Sequence, residues 1–362
     1  MGTVKPKYKR DVSLEIMRIF ASFFVIFNHI GGYTLFSNYP TNSVQFWLYI
    51  PFGIFCKFAV PLFFMISGAL LLGKDEDLKT IFKKRILKTV LTIFFISLLY
   101  YVIDNMKNPF SLENISEFIF LLFSGTIKLH MWFLYSYVIF LLILPFLRKV
   151  VKLMQAKDYG YMGILCLIAM IMSSLFYGGL LTHSKGLSTS VGVLSTNIIV
   201  FPCMGYYFYR VMDYSKVTKK KCIYLLMSTL AGILITAVMT CYRIDRDGVN
   251  TFSVDVFFNT FVLISSSTVF ILIKFFVGKK TDFFERHTSL NSVISTLGEC
   301  TFGIYLLHRI CIENPYFGKI GTFFQKFCPP MVNEFIFCTI VFIVCLIVTF
   351  VLRKIPFVKQ IL

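Results

Sequence analysis

The sequence predicts an all-α membrane protein of about ten transmembrane helices, both termini cytoplasmic and no soluble domain. Three observations carry that reading. Of 362 residues, 57% are hydrophobic and only 15% charged, and mean hydropathy is +0.76, where a soluble domain carries about a quarter charged residues. The apolar residues fall in runs long enough to cross a hydrocarbon core of ~30 Å. Basic residues gather in alternate connections, 26 of the 36 Lys and Arg falling in those assigned to the cytoplasm, as the positive-inside rule requires. The 43 Phe and 19 Tyr suit lipid-facing surfaces and interfacial belts.

Residues 1–10 read as a short basic cytoplasmic tail with Lys5, Lys7, Lys9 and Arg10. The first span, near 13–35, is too long for a signal-peptide core and lacks a small-residue cleavage site, so it is expected to stay in the protein. The second, near 46–72, carries Lys57, Pro61 and Ser67-Gly68. Pro61 lacks a backbone donor and is expected to bend this helix, while Gly68 lets a neighbouring helix approach closely. The most basic connection runs from Lys74 to Lys88 and leads into the third span, near 86–104. Residues 115–122 are apolar but too short to cross, and read as an interfacial or re-entrant piece. The fourth span, near 131–147, ends at Pro145 and Arg148-Lys149. Six more fall near 161–182, 190–210, 222–241, 253–277, 293–313 and 332–352. A transmembrane domain over 11–352 thus lies between the tails 1–10 and 353–362, with no internal repeat.

The net charge of +18 does not indicate nucleic-acid binding, because no basic stripe with interleaved aromatics lies outside the spans. The ten Cys form no Cys-x-x-Cys pair, so neither a zinc site nor thioredoxin-like chemistry is expected, and no metal is assigned. Within apolar runs they read as small filler.

The chemistry lies in the polar residues of the spans. Arg18 and His29 are eleven positions apart, which in an α-helix is ~1100° and ~16.5 Å, so they share one face within ~20°. A charged side chain in a span costs roughly 2.5–3.5 kcal/mol on insertion scales, and two polar groups on one stripe mark a path through the protein interior. Glu15 lies three residues before Arg18 on the same face and either eases its insertion or helps guard the inner mouth of that path. Lys57 falls near mid-bilayer, too deep to snorkel, and must face protein or water. In the ninth span, which runs in the same direction as the first, His308 reaches a depth comparable to His29, with Arg309 and Glu313 following. His130 and Trp132 open the fourth span on that side. Histidine takes and returns a proton near neutral pH, so His29 suits a hydroxyl attacking an activated acyl group. The run from Lys83 to Lys88 suits phosphate oxygens, although it also serves as ordinary positive-inside flanking. There is no Walker loop, dinucleotide glycine fingerprint or Gly-x-Ser-x-Gly elbow.

Four segments in order resemble the acyltransferase-3 family of integral membrane enzymes, over about residues 11–350. They are Leu14-Glu-Ile-Met-Arg18 with His29 following, Val60-Pro-Leu-Phe-Phe-Met-Ile-Ser-Gly68, Met131-Trp-Phe-Leu-Tyr135 and Leu297-Gly-Glu-Cys-Thr-Phe-Gly-Ile-Tyr-Leu-Leu-His308. The resemblance implies O-acylation, mostly O-acetylation, of cell-surface and secreted glycans in the cell membrane, with acyl-CoA, usually acetyl-CoA, as cytoplasmic donor. It implies His29 as general base or acyl relay, with Arg18 as its partner towards the donor side; His308, from its comparable depth, is the further catalytic candidate. Arg18, Lys57, Arg85 and Lys88 become the donor-binding candidates. The sequence departs from the family pattern in having Glu15 for its usual Asp, Lys57 for a frequent Arg, and Arg85-x-x-Lys88 for Arg-x-x-Arg. Lysine keeps the charge but loses the planar fork. The extracytoplasmic esterase-like domain that some relatives append is not expected here. The expected partners are acyl-CoA, a carbohydrate or lipid-linked glycan acceptor and membrane lipid. Buried charges on ten spans equally fit a transporter or exporter of a glycan or lipid-linked sugar.

Overall fold

The computed structural model describes residues 11–105, 112–177, 196–248 and 255–361, and every regular element among them is helical. The tail 1–10 lies outside them. Eight helical stretches are long and apolar enough to cross a bilayer: Val12–Asn38, Val44–Leu71, Leu78–Asp104, Leu129–Leu153, Ala156–Phe176, Lys219–Asp247, Thr288–Glu313 and Pro330–Leu352. They coincide with eight of the expected spans. The spans expected near 190–210 and 253–277 meet the shorter apolar helices Ile198–Val211 and Val262–Gly278, and the piece expected at 115–122 meets Asn114–Ser124. The protein is therefore a multi-pass helical membrane protein.

The central helix is α1 (Val12–His29), which packs against α3 (Ala59–Leu71), α10 (Val262–Gly278), α11 (Thr288–Glu313) and α13 (Pro330–Leu352). Asp11 starts it, its carboxylate accepting the Ser13 amide at 2.9 Å and so satisfying one of the donors a helix start leaves open. The same carboxylate takes Lys274 at 2.6 Å and the Tyr209 hydroxyl at 3.0 Å, tying the beginning of α1 to two helices distant in sequence. Burial works to raise the Asp11 pKa, but the hydrogen bonds from Lys274 and Ser13 outweigh it, and the carboxyl ends below its ordinary value. One face of α1 is aromatic: Phe20 and Phe24 each lie 5.3 Å from the Phe58 ring.

The second span divides into α2 (Val44–Phe55) and α3, joined by a tight 3₁₀ turn at Cys56–Phe58. Where Pro61 was expected to bend the helix, the backbone tightens into this 3₁₀ turn one turn upstream, for a steric reason. Pro61 has no N–H for the carbonyl four residues back, that of Lys57, and its ring crowds that carbonyl. At the other end α3 crosses α8 (Phe201–Tyr206) in backbone contact. A Cβ on Gly68 would stand 1.9 Å from the Pro202 carbonyl oxygen, and one on Gly205 1.9 Å from that of Met65. Gly68 thus serves packing, as its small size implies.

The third span differs from expectation at its start. The helix begins at Leu78, widens into a π-helical turn at Phe82–Ile86 and continues as α4 (Leu87–Asp104). The basic run from Lys83 to Lys88 is therefore wound on a helix. Beyond α5 (Leu112–Ser124), α6 (Trp132–Leu153) and α7 (Ala156–Met172), the chain passes through α8 and α9 (Lys219–Asp247) to α10 and α11. The short α12 (Pro315–Phe324) then turns into α13. Most of the ten Cys side chains are buried.

Candidate active site

Two helices hold the site between them, and they run side by side in the same direction. At one end Glu15 of α1 lies over Gly298 of α11, so closely that a Cβ there would meet the carboxylate. At the other end the His29 ring stands 5.1 Å from that of His308. The parallel pairing brings the two sequence-predicted histidines together and adds a third. His130, in the turn before α6, has its ring 5.1 Å from His308 and 6.1 Å from His29.

The cluster is fixed by an aromatic frame. Tyr305 donates its hydroxyl to the His130 carbonyl at 2.7 Å, and Tyr100 donates to the Leu306 carbonyl at 2.9 Å. Tyr100 also sets its ring edge-on to His130 at 5.5 Å. Nδ1 of His308 lies 2.6 Å from the Tyr305 carbonyl. His29 is half-buried while His130 and His308 are buried, so His29 is the most exposed imidazole of the three. Among the described residues, no group of three or more His, Cys, Asp or Glu side chains is placed to hold a metal ion. Glu313 does not join the histidines through any ion pair. It pairs with Lys128 at 2.6 Å and Arg309 at 2.5 Å, and Asp104 joins Lys128 at 3.0 Å. Burial acts to lower the Lys128 pKa, but its bonds to Glu313 and Asp104 outweigh that and raise it.

At the opposite end of α1, Arg18 donates to both Glu15 oxygens, at 2.9 and 3.1 Å. Glu15 is nearly buried while a quarter of Arg18 remains exposed, so the carboxylate holds the guanidinium in place without enclosing it. Lys57 lies elsewhere. Its ammonium stands 4.0 Å over the Tyr33 ring and 5.9 Å from that of Phe258, which puts it at the His29 end rather than beside Arg18. Arg85 and Lys88 both lie on the helix that begins at Leu78, Lys88 exposed and Arg85 engaged by Glu76.

Comparison with family models now bears on this arrangement: the acyltransferase-3 model, described as an acyltransferase domain, matches residues 11–354. The chain belongs to the acyltransferase-3 family. Neither curated proteins nor solved structures return a match. Membership implies acyl transfer, and a match over nearly the whole chain takes in both ends of α1 together with all three histidines.

In this acyltransferase-3 protein one charged centre was not legible in the sequence. Glu76 receives Arg85 through Nε at 2.9 Å and a terminal nitrogen at 2.5 Å, and Arg148 at 2.9 Å. Arg148 also donates to the Leu71 carbonyl at 3.0 Å, closing the end of α3. Hydrogen bonds from Arg85, the larger influence, and from Arg148 hold the Glu76 pKa at about 2, against an ordinary 4.5. A depressed carboxyl lends stability that is full above its ordinary pKa and lost as pH falls through the folded value. Thermal unfolding in detergent should therefore show a wild-type loss between pH 4.5 and about 2 that Glu76→Gln lacks. At neutral pH Glu76→Gln should cost roughly 1.5–3 kcal/mol, because Arg148 would keep its buried charge without its counter-ion. An unchanged melting temperature at pH 7 would refute this.

Proposed function

We propose that this protein is a cell-membrane O-acyltransferase that moves an acyl group, acetyl by family resemblance, from cytoplasmic acyl-CoA to a hydroxyl of an exopolysaccharide, capsule or other surface glycan. The observation that carries the reading is α1 itself, with a held guanidinium at one end and a cluster of imidazoles at the other. With ten spans and both termini cytoplasmic, α1 runs outward, Arg18 lies towards the donor's compartment and His29 in the outer half of the membrane.

The residues divide the work by charge. Arg18, supported by Glu15, offers a guanidinium to the donor's phosphates, for which its planar fork is suited, and Lys88 adds an exposed charge on the helix that begins at Leu78. Arg85 is engaged by Glu76 through two of its three nitrogens. An open groove of about 750 Å³ lies at the same end of α11, bordered by Ser292, Thr296, Leu297 and Phe350, and is the place assigned to the donor in this reading. At the far end neutral His29 takes the proton of the attacking hydroxyl as oxygen bonds to the acyl carbon. Such general-base help is worth about 10²–10⁴-fold.

The test uses purified protein in detergent, labelled acetyl-CoA and surface polysaccharide stripped of its esters by mild base. Label transferred to polysaccharide is the expected result. Detergent abolishes the two compartments that a carrier needs, so a folded protein that transfers no label would overturn the reading in favour of transport.

A further inference from the structure

The connection that carries His130 is tied to the rest of the site by charge. Lys128 opens the 3₁₀ turn Leu129–Met131, its carbonyl accepting the Met131 amide at 2.9 Å. Its side chain crosses to two other elements. The ammonium meets Asp104, the last residue of α4, at 3.0 Å and Glu313, the last of α11, at 2.6 Å. Glu313 also takes Arg309 at 2.5 Å, and another nitrogen of that guanidinium reaches the His29 carbonyl at 3.5 Å. One chain of contacts through Asp104, Lys128, Glu313 and Arg309 thus touches every element that bears an imidazole. Its members are also neighbours of the cluster in sequence. Lys128 comes two residues before His130, Arg309 follows His308, and Asp104 lies one turn beyond Tyr100, whose ring meets His130 edge-on. An exposed ion pair contributes little, because water screens it and two long side chains must be held still. Here only 15% of the Lys128 side chain is exposed, and one cation serves two carboxylates. The next residue, Leu129, is 84% exposed and so gives the turn little packing of its own.

We propose that Lys128 is a positioning residue of the histidine site, its ammonium holding His130 against His308 directly and, through Glu313 and Arg309, against His29. The inference rests on the acyl-transfer reading above. Lys128 touches no reacting atom. It sets where the His130 turn stands relative to the end of α11, and so the spacing of three rings whose centroids lie 5.1 to 6.1 Å apart.

Lys128→Met keeps the length of the side chain and removes its charge. With acetyl-CoA and the de-esterified polysaccharide, it should lower kcat about 10–100-fold, the cost of catalytic groups displaced by about 1 Å. The KM for acetyl-CoA should not change, because the donor's phosphates are assigned to the Arg18 end of α1. Lys128→Arg, which can meet both carboxylates, should recover most of the rate. The protein has five His, so ring-labelled histidine gives five sets of NMR signals in detergent. Those of His29, His130 and His308 should move in folded Lys128→Met and return in Lys128→Arg. If Lys128→Met does not accumulate, Glu313→Gln, which leaves the ammonium on Asp104, should show the same split. Wild-type kcat in the folded variant would overturn the proposal. So would unmoved ring signals, a loss that merely follows the fraction of folded protein, or a change confined to the KM for polysaccharide. Wild type and His29→Ala run alongside keep the failures apart. If wild type transfers no label, the acyl-transfer reading falls. If wild type is active, His29→Ala inactive and Lys128→Met fully active, only the role of Lys128 falls.

Discussion

Cells carrying His29→Ala at normal protein level are expected to show surface glycan with the acyl content of cells lacking the protein, the transfer rate falling by about 10²–10⁴-fold. The reason is position as much as chemistry. His29 is the half-buried ring of the cluster, beside two buried ones, and in the proposed reaction it is the base for the attacking hydroxyl. Alanine removes that base while the His130 and His308 rings stay 5.1 Å apart. The Arg309 guanidinium reaches the His29 carbonyl at 3.5 Å, a backbone contact the substitution leaves in place, so the fold should persist. Acylation unchanged at normal protein level would remove His29 from the chemistry.

A second large effect is expected from one added methyl group. Gly68→Ala would place its Cβ 1.9 Å from the Pro202 carbonyl oxygen, and Gly205→Ala 1.9 Å from that of Met65. Both obstacles are backbone, which cannot swing aside as a side chain tip does, so α3 and α8 must part. Overpacking costs about 1–3 kcal/mol where side chains can adjust, and rigid backbone puts these sites at or above the upper end. In a membrane, lipid tails are as apolar as the helix surfaces, and close packing is what holds helices together. Both variants should yield little monodisperse protein and melt well below wild type. Gly160→Ala, with nothing within 4 Å of the new atom, should behave as wild type. A normal melting curve for Gly68→Ala would show that the crossing can open cheaply.

The helical, multi-pass character was legible because lipid leaves few choices: apolar runs of sufficient length must be helices, and eight appear where the runs lie. The pairing of His29 with His308 was legible as equal depth on two spans of the same direction. His130 was visible at that depth but gave no reason to turn inward, because its placement depends on Tyr305, 175 positions away. The Glu76 centre was hidden for a similar cause. Its carboxylate is the middle one of three consecutive acids, Asp75-Glu76-Asp77, and its buried partner Arg148 is 72 positions on, where it reads as an ordinary basic flank. Lys57 was recognised as facing protein, but the rings that receive it, Tyr33 and Phe258, come from segments whose approach no local pattern announces. Gly205 carried no signal either, since only the crossing partner shows why a side chain is forbidden there.

The side-by-side run of α1 and α11 also makes the molecule a ruler. Glu15 seated on Gly298 and His29 against His308 bring the two helices together at both ends, and the rise of α1 sets the interval from Arg18 to His29 at ~16.5 Å. In the proposed reaction that interval sets the reach demanded of the donor. A thioester on a shortened arm, fastened by its phosphates at Arg18, stops below the imidazoles, whereas the size of the acyl group beyond the sulfur is not measured by this interval at all. Donor choice by arm length and acyl choice by the space around the histidines are then separate properties, set by different residues and free to change independently.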